Sequence, residues 1–128
     1  MIELGKKDAY IGKESKLQES VINYLRYEGY FAIHVPNGGS RNVVEAVNLK
    51  KQGVLAGVCD ILIFGSQLYH LPEMKYYNGI SIELKVKGGK LSDKQIEFID
   101  NLEKSNWLCI VSFNLDSLME YFKINIRI

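Results

Sequence analysis

Three charged side chains sit in stretches where charge is expensive. Asp60 interrupts the apolar run Gly57-Val58-Cys59-Asp60-Ile61-Leu62-Ile63-Phe64, and Glu83 and Lys85 interrupt Ile80-Ser81-Ile82-Glu83-Leu84-Lys85-Val86. Ionised groups are costly to remove from water unless they are paired or bound to a metal. Two carboxylates and an ammonium on successive strands make up the set that magnesium-assisted phosphodiester hydrolysis requires. Mg²⁺ is a hard ion that takes oxygen ligands and usually keeps several waters. Asp60, Glu83 and the backbone carbonyl of Leu84 supply such oxygens, leaving positions for water and a phosphate oxygen. A bound metal polarises the phosphate and lowers the pKa of its water. Lys85, a compact point charge, suits orientation of that water and stabilisation of the developing negative charge.

Each group also has a plainer explanation. Residues two apart on a strand share a face, so Ser81, Glu83, Lys85 and Lys87 are expected to point one way. Ile80, Ile82, Leu84 and Val86 then point into the core, and Glu83-x-Lys85 is equally the wet face of an ordinary amphipathic strand. Asp60 is harder to explain that way, because Asp is poorly suited to strands. A structural role in capping or lysine pairing stays open for it.

Further polar residues flank this set. At helical periodicity, Glu14, Leu17, Gln18, Val21, Ile22 and Leu25 share one broad face, with Glu19 on the opposite, polar side. Gln18 and Glu14 therefore either reach a metal or its waters, or merely edge the apolar stripe. Gln95 either holds a scissile phosphate or closes a Ser92-x-x-Gln95 capping box. His34 precedes Val35-Pro36-Asn37-Gly38-Gly39, read either as a loop whose glycines let the backbone approach DNA or as a structural turn, with the turn the expected role. Tyr76 and Tyr77 are read either as base-stacking groups or as cover for a hairpin.

The elements that must position these residues follow from periodicity and breakers. A helix is expected from about Glu14 to Glu28, ended by Gly29, and a short strand over Tyr30 to Val35. A second short helix fits Asn42 to Gln52, with Gly53 near its C-terminus. Strands are expected over Val58 to Phe64 and Ile80 to Val86, with Ser66 to Gly79 as a hairpin arm or elaborated loop between them. A helix follows from Ser92 to about Ser105, then a buried strand over Trp107 to Phe113. A helix over Leu115 to Phe122 and a last edge strand within Lys123 to Ile128 complete the order. Met1 to Gly12 has no clear period and reads as an N-terminal arm or dimer contact, with residues 1–13 outside the core. The order implies an α/β fold with a central mixed sheet flanked by helices.

With 128 residues the chain fits one domain around one core. Its formal net charge of +1 neither supports nor excludes a polyanionic partner. From Lys75 to Lys94, however, five lysines face only Glu83 and Asp93. Lys87, Lys90 and Lys94 thus form a stripe suited to phosphate contact, although a solvated strand edge explains any single one. Cys59 and Cys109 lie in apolar runs and indicate buried thiols in a reducing compartment rather than a disulfide framework. No Cys/His spacing indicates zinc. No run approaches the roughly 18 residues of a membrane span, so a cytoplasmic protein with no membrane partner is expected.

Taken in order, these residues resemble the VRR-NUC branch of the PD-(D/E)XK nuclease superfamily. The matching elements are Glu14-x-x-x-Gln18 with Tyr24-Leu25-Arg26, then His34-Val35-Pro36-Asn37-Gly38-Gly39. Lys51-x-Gly53-Val54-x-Ala56-Gly57-Val58-x-Asp60, Ile82-Glu83-Leu84-Lys85, Gly89-Lys90-Leu91-Ser92 and Gln95 continue the series. No single motif is specific, but the ordered set covers the chain from about Glu14 to Phe113. One departure is Cys59-Asp60 where the family has Pro-Asp, which alters a strand entrance rather than the chemistry.

The resemblance implies a restriction-endonuclease-like α/β core and hydrolysis of DNA dependent on Mg²⁺, with Mn²⁺ as substitute. It implies Asp60, Glu83, Lys85, Gln18 and Gln95 as catalytic residues, with Gln18 ranked ahead of Glu14 as the first-helix partner. Read together with the residue chemistry above, Asp60, Glu83 and the Leu84 carbonyl are the expected metal ligands, with Glu14 a further candidate, and Asn37, Lys87, Lys90 and Lys94 are the expected nucleic-acid contacts. Stand-alone members of the family resemble phage or bacterial homodimers that cut branched DNA such as Holliday junctions. A flap- or restriction-type nuclease, and a catalytically weak DNA-binding subunit on the same fold, are the competing expectations.

Overall fold

A computed structural model describes residues 1–36 and 42–128. Among the described residues, six strands form one mixed sheet: β1 (Ile2–Leu4), β2 (Phe31–His34), β3 (Ile61–His70), β4 (Lys75–Leu84), β5 (Trp107–Ser112) and β6 (Ile126–Arg127). The helices are α1 (Glu14–Tyr27), α2 (Val43–Lys51), α3 (Asp93–Lys104) and α4 (Leu115–Asn125). The spatial order is β1-β5-β4-β3-β2, with β6 also paired to β3. β1, β5 and β4 run parallel, while β3 is antiparallel to β4, β2 and β6. This is the mixed α/β architecture expected from the element order.

One face of the sheet carries the main core. Leu17, Val21 and Leu25 recur every fourth residue on α1 and pack with Leu118 and Phe122 of α4 against Ile61, Ile63, Ile80, Ile82 and Ile110. Fully burying such a side chain contributes roughly 1.5–3 kcal/mol. The opposite face is covered by α3, where Ile99 packs on Cys109, Val111 and Phe113. Both cysteines are free and buried.

Several boundaries differ from the sequence reading. Ile2–Leu4 is not a loose arm: it pairs with Ile110–Ser112, and the Asn114 side chain donates to the carbonyls of Gly5 and Asp8. Three residues have no periodicity to read, so only the partner strand, a hundred residues on, defines them. Residues 58–60 precede the strand rather than belong to it. β3 and β4 are a long hairpin with a register shift between Phe64 and Leu68, where the polar Gly65-Ser66-Gln67 interrupts the apolar pattern. α4 runs through to Asn125, which leaves two residues for β6 rather than a longer tail strand.

The polar side of β4 is also not wet. β4 lies between β3 and β5, and Ser81 and Glu83 are only 1% and 4% exposed. A central strand has both faces covered, and here α3 covers the second face.

Candidate active site

The register of the hairpin brings the two carboxylates together. Ile61 pairs with Ile82, so one step outward in this antiparallel ladder sets Asp60 opposite Glu83. Oδ2 of Asp60 accepts the backbone N–H of Leu84 at 2.7 Å. That bond ties the loop ending in Asp60 to the strand carrying Glu83. Gly57 fixes the same loop from below. Its φ is +85°, and a Cβ there would come within 2.4 Å of the Lys94 backbone. Only glycine tolerates both the left-handed conformation and the close approach.

The α3 N-terminus completes the site. Ser92 caps the helix, and its side chain accepts from the Gln95 N–H at 3.1 Å. Oε1 of Gln95 accepts the Ser92 N–H at 2.9 Å and Lys85 Nζ at 3.0 Å, while its Nε2 donates to Glu83 Oε1 at 2.7 Å. The capping box and the site contact, set against each other in the sequence reading, are made by one side chain at once. Lys85 Nζ lies 3.8 Å from Glu83 Oε1.

Asp60, Glu83, Lys85 and Gln95 line a cleft of about 720 Å³, together with Glu14 and Gln18 of α1 and His34 of β2. Burial and the neighbouring Asp60 push the Glu83 carboxyl well above the usual carboxylate range, with Lys85 acting in the opposite direction. Burial raises Asp60 too, offset chiefly by the Leu84 N–H. Glu14 is raised by partial burial and by Asp60. Three carboxyl groups thus converge on one lysine, a surplus of negative charge that a cation would relieve. Among the described residues no three His, Cys, Asp or Glu side chains form a ready-made metal cage. Two carboxylates nevertheless suit Mg²⁺, which commonly binds through one or two of them and retains its waters; Leu84, expected to add its carbonyl, is fully buried and is not among the residues that line the cleft.

The remaining expected residues divide. Glu14 and Gln18 both face the cleft, and the Gln18 amide nitrogen is buried with no hydrogen-bond partner. Glu19, expected on the opposite side of α1, also lies on the cleft wall. Lys87, Lys90 and Lys94 are exposed and outside the cleft lining, with Lys94 3.5 Å from Glu97. Asn37 falls outside the described residues. Tyr77 is buried and donates to Glu73, and Tyr76 packs on Tyr69. Both lie near the opposite end of β4 from Glu83, so they cover the hairpin rather than flank the cleft. Cys59, next to Asp60, is inert: burial, followed by the two carboxylates, pushes its thiol up to about 12. His34, read from sequence as part of a turn, is the site residue most clearly missed. It lines the cleft because β2 pairs beside Asp60, a relationship visible only once the strands are paired.

The VRR-NUC domain model matches residues 6–112 of the chain. A solved structure described as a VRR_NUC domain protein is similar to it at a TM-score of 0.65 and 24% identity, covering 90% of this chain and 89% of that one. No curated protein matches it. The chain belongs to the VRR-NUC family and is a nuclease domain.

Proposed function

We propose that this protein is a divalent-metal-dependent endodeoxyribonuclease that cuts branched DNA, including four-way junctions, as a homodimer. The observation that carries the reading is the convergence of the half-buried Asp60 carboxyl and the buried Glu83 carboxyl with Lys85 in one open cleft. Asp60 and Glu83 would hold Mg²⁺ or Mn²⁺, which when bound supplies charge neutralisation at the phosphate and a more acidic water. Lys85, steered by Gln95 Oε1, directs its ammonium toward the phosphate and the attacking water. Gln95 holds Glu83 in place with its amide N–H. Gln18 has an amide donor left over for a water or a phosphate oxygen. Lys87, Lys90 and Lys94 are exposed around the entrance to α3 and suit contacts with the DNA backbone. A two-fold dimer would present two clefts, one for each of two strands.

Cleavage of labelled four-way, flap and linear duplex DNA, with Mg²⁺, Mn²⁺ or EDTA, tests this reading. Wild type should cut the branched substrate in a metal-dependent way. Asp60→Ala, Glu83→Ala and Lys85→Ala should each lose activity while remaining folded. Equal cutting by all four proteins would remove the assignment, and sedimentation showing only monomer with and without DNA would remove the dimer.

A further inference from the structure

His34 stands at the end of β2, paired with Ile61 and next to Asp60, which immediately precedes β3. The Asp60 carbonyl receives two contacts from this segment: the Val35 N–H at 2.8 Å and the His34 Nδ1 at 2.8 Å. A carbonyl can only accept, so Nδ1 carries the proton. In the neutral ring Nε2 is then an acceptor, and it is the nitrogen left to serve the cleft that His34 lines.

An imidazole whose one N–H is locked on a backbone carbonyl is the arrangement by which proteins present the other nitrogen to a metal site in a fixed tautomer. Mg²⁺ commonly binds through only one or two carboxylates and keeps several waters, and those waters need acceptors. We propose that His34 is a positioning residue of this site, whose Nε2 accepts a hydrogen bond from a water in the shell of the divalent cation. Nδ1 meanwhile holds the backbone of Asp60. The inference rests on the metal-dependent reading above and assigns to it a residue outside the carboxylate–lysine set.

Three substitutions separate the two nitrogens. His34→Asn places an amide where Nδ1 stands and keeps a donor for the Asp60 carbonyl. His34→Gln reaches as far as Nε2 and supplies an oxygen acceptor there, and His34→Ala removes both. Mn²⁺ affinity, read by electron paramagnetic resonance, is measured beside thermal unfolding for each protein. Loss of a group that orients bound ligands weakens metal affinity about 10–100-fold. His34→Asn should therefore bind Mn²⁺ roughly tenfold more weakly than wild type at unchanged melting temperature, and His34→Gln should regain part of that loss. The His34 Nε2 ¹⁵N resonance should shift on adding diamagnetic Mg²⁺. Wild-type affinity in His34→Asn together with an unmoved Nε2 resonance would overturn the proposal and leave His34 as a backbone anchor. If wild type itself bound no Mn²⁺ and cut no DNA, the metal-dependent reading would fall first, which is a distinct result.

Discussion

Leu84 donates its backbone N–H to the carboxylate of Asp60 at 2.7 Å, so the strand that carries Glu83 also orients its acidic partner. Asp60→Asn keeps an oxygen acceptor for this N–H and removes the charge. The variant is expected to fold and melt like wild type while cleavage falls by roughly a hundredfold or more. Asp60→Ala removes the acceptor as well, leaving a buried donor that costs about 1–3 kcal/mol. Calorimetry beside a cleavage assay checks both, and an Asn variant with wild-type turnover would contradict the role of the charge.

Glu83 gives a pH dependence with a definite sign. Its folded-state pKa lies above the unfolded carboxylate value of 4.5 because burial and Asp60 disfavour ionisation. The folded state therefore holds this proton more tightly. The associated stability is complete below that unfolded value and is lost as pH rises through the higher folded value. The metal-free protein should thus lose stability on going from pH 5 to pH 8. Glu83→Gln, which keeps an acceptor for Gln95, should be more stable than wild type at pH 8, by on the order of 1 kcal/mol. Added Mg²⁺ should narrow that gap. A Gln variant less stable than wild type across the whole range would show that Glu83 is not held against its charge.

What was legible in the sequence depended on how local its cause was. The Ser92–Gln95 box and the Leu17-Val21-Leu25 stripe are set within a few residues, and both elements form where the pattern places them. Asp60 and Glu83 could be paired in advance because their strands follow one another. The buried side of Glu83 could not be read, since it depends on β5 and α3 closing over a central strand. β1 is three residues whose pairing is made by a distant partner. The place of His34 in the site likewise depends on β2 lying beside Asp60, a tertiary fact with no spacing to signal it.

Gln95 links helix capping to chemistry, so its substitutions should separate the two. Gln95→Ala removes the amide from Ser92, Lys85 and Glu83 together, and is expected to lower stability by about 1 kcal/mol and activity by at least tenfold. Gln95→Glu retains the capping acceptor but sets a third carboxylate against Glu83, so activity should fall with less loss of stability. Urea unfolding and turnover measured on the same samples make the comparison. Parallel losses in the two variants would mean that Gln95 acts on the site only by capping α3.

Gly57 carries a purely steric prediction. Ala at this position meets both a φ of +85° and a 2.4 Å approach to the Lys94 backbone. Strain of this kind costs on the order of 1–3 kcal/mol, and relieving it would move the Asp60 loop away from α3. Gly57→Ala should lower the urea midpoint and also slow cleavage, although it alters no charged group. Gly53→Ala, whose glycine also has positive φ but no neighbour within 4 Å, controls for backbone strain alone. If both variants lose equal stability and neither loses activity, the contact between the loop and α3 does not set the site.

Gln18 presents an amide nitrogen that is buried and without a partner. An unsatisfied buried donor costs roughly 1–3 kcal/mol, so the fold alone gives no reason for its presence beside Leu17 and Val21. Gln18→Met keeps the length of the side chain and removes the polar group. The variant should be as stable as wild type or slightly more so, by up to about 1 kcal/mol, while cleaving more slowly. Stability and function then move in opposite directions, which a packing role could not produce. A Met variant that loses stability and keeps full activity would instead make Gln18 a structural residue, and thermal melts with single-turnover cleavage distinguish these outcomes.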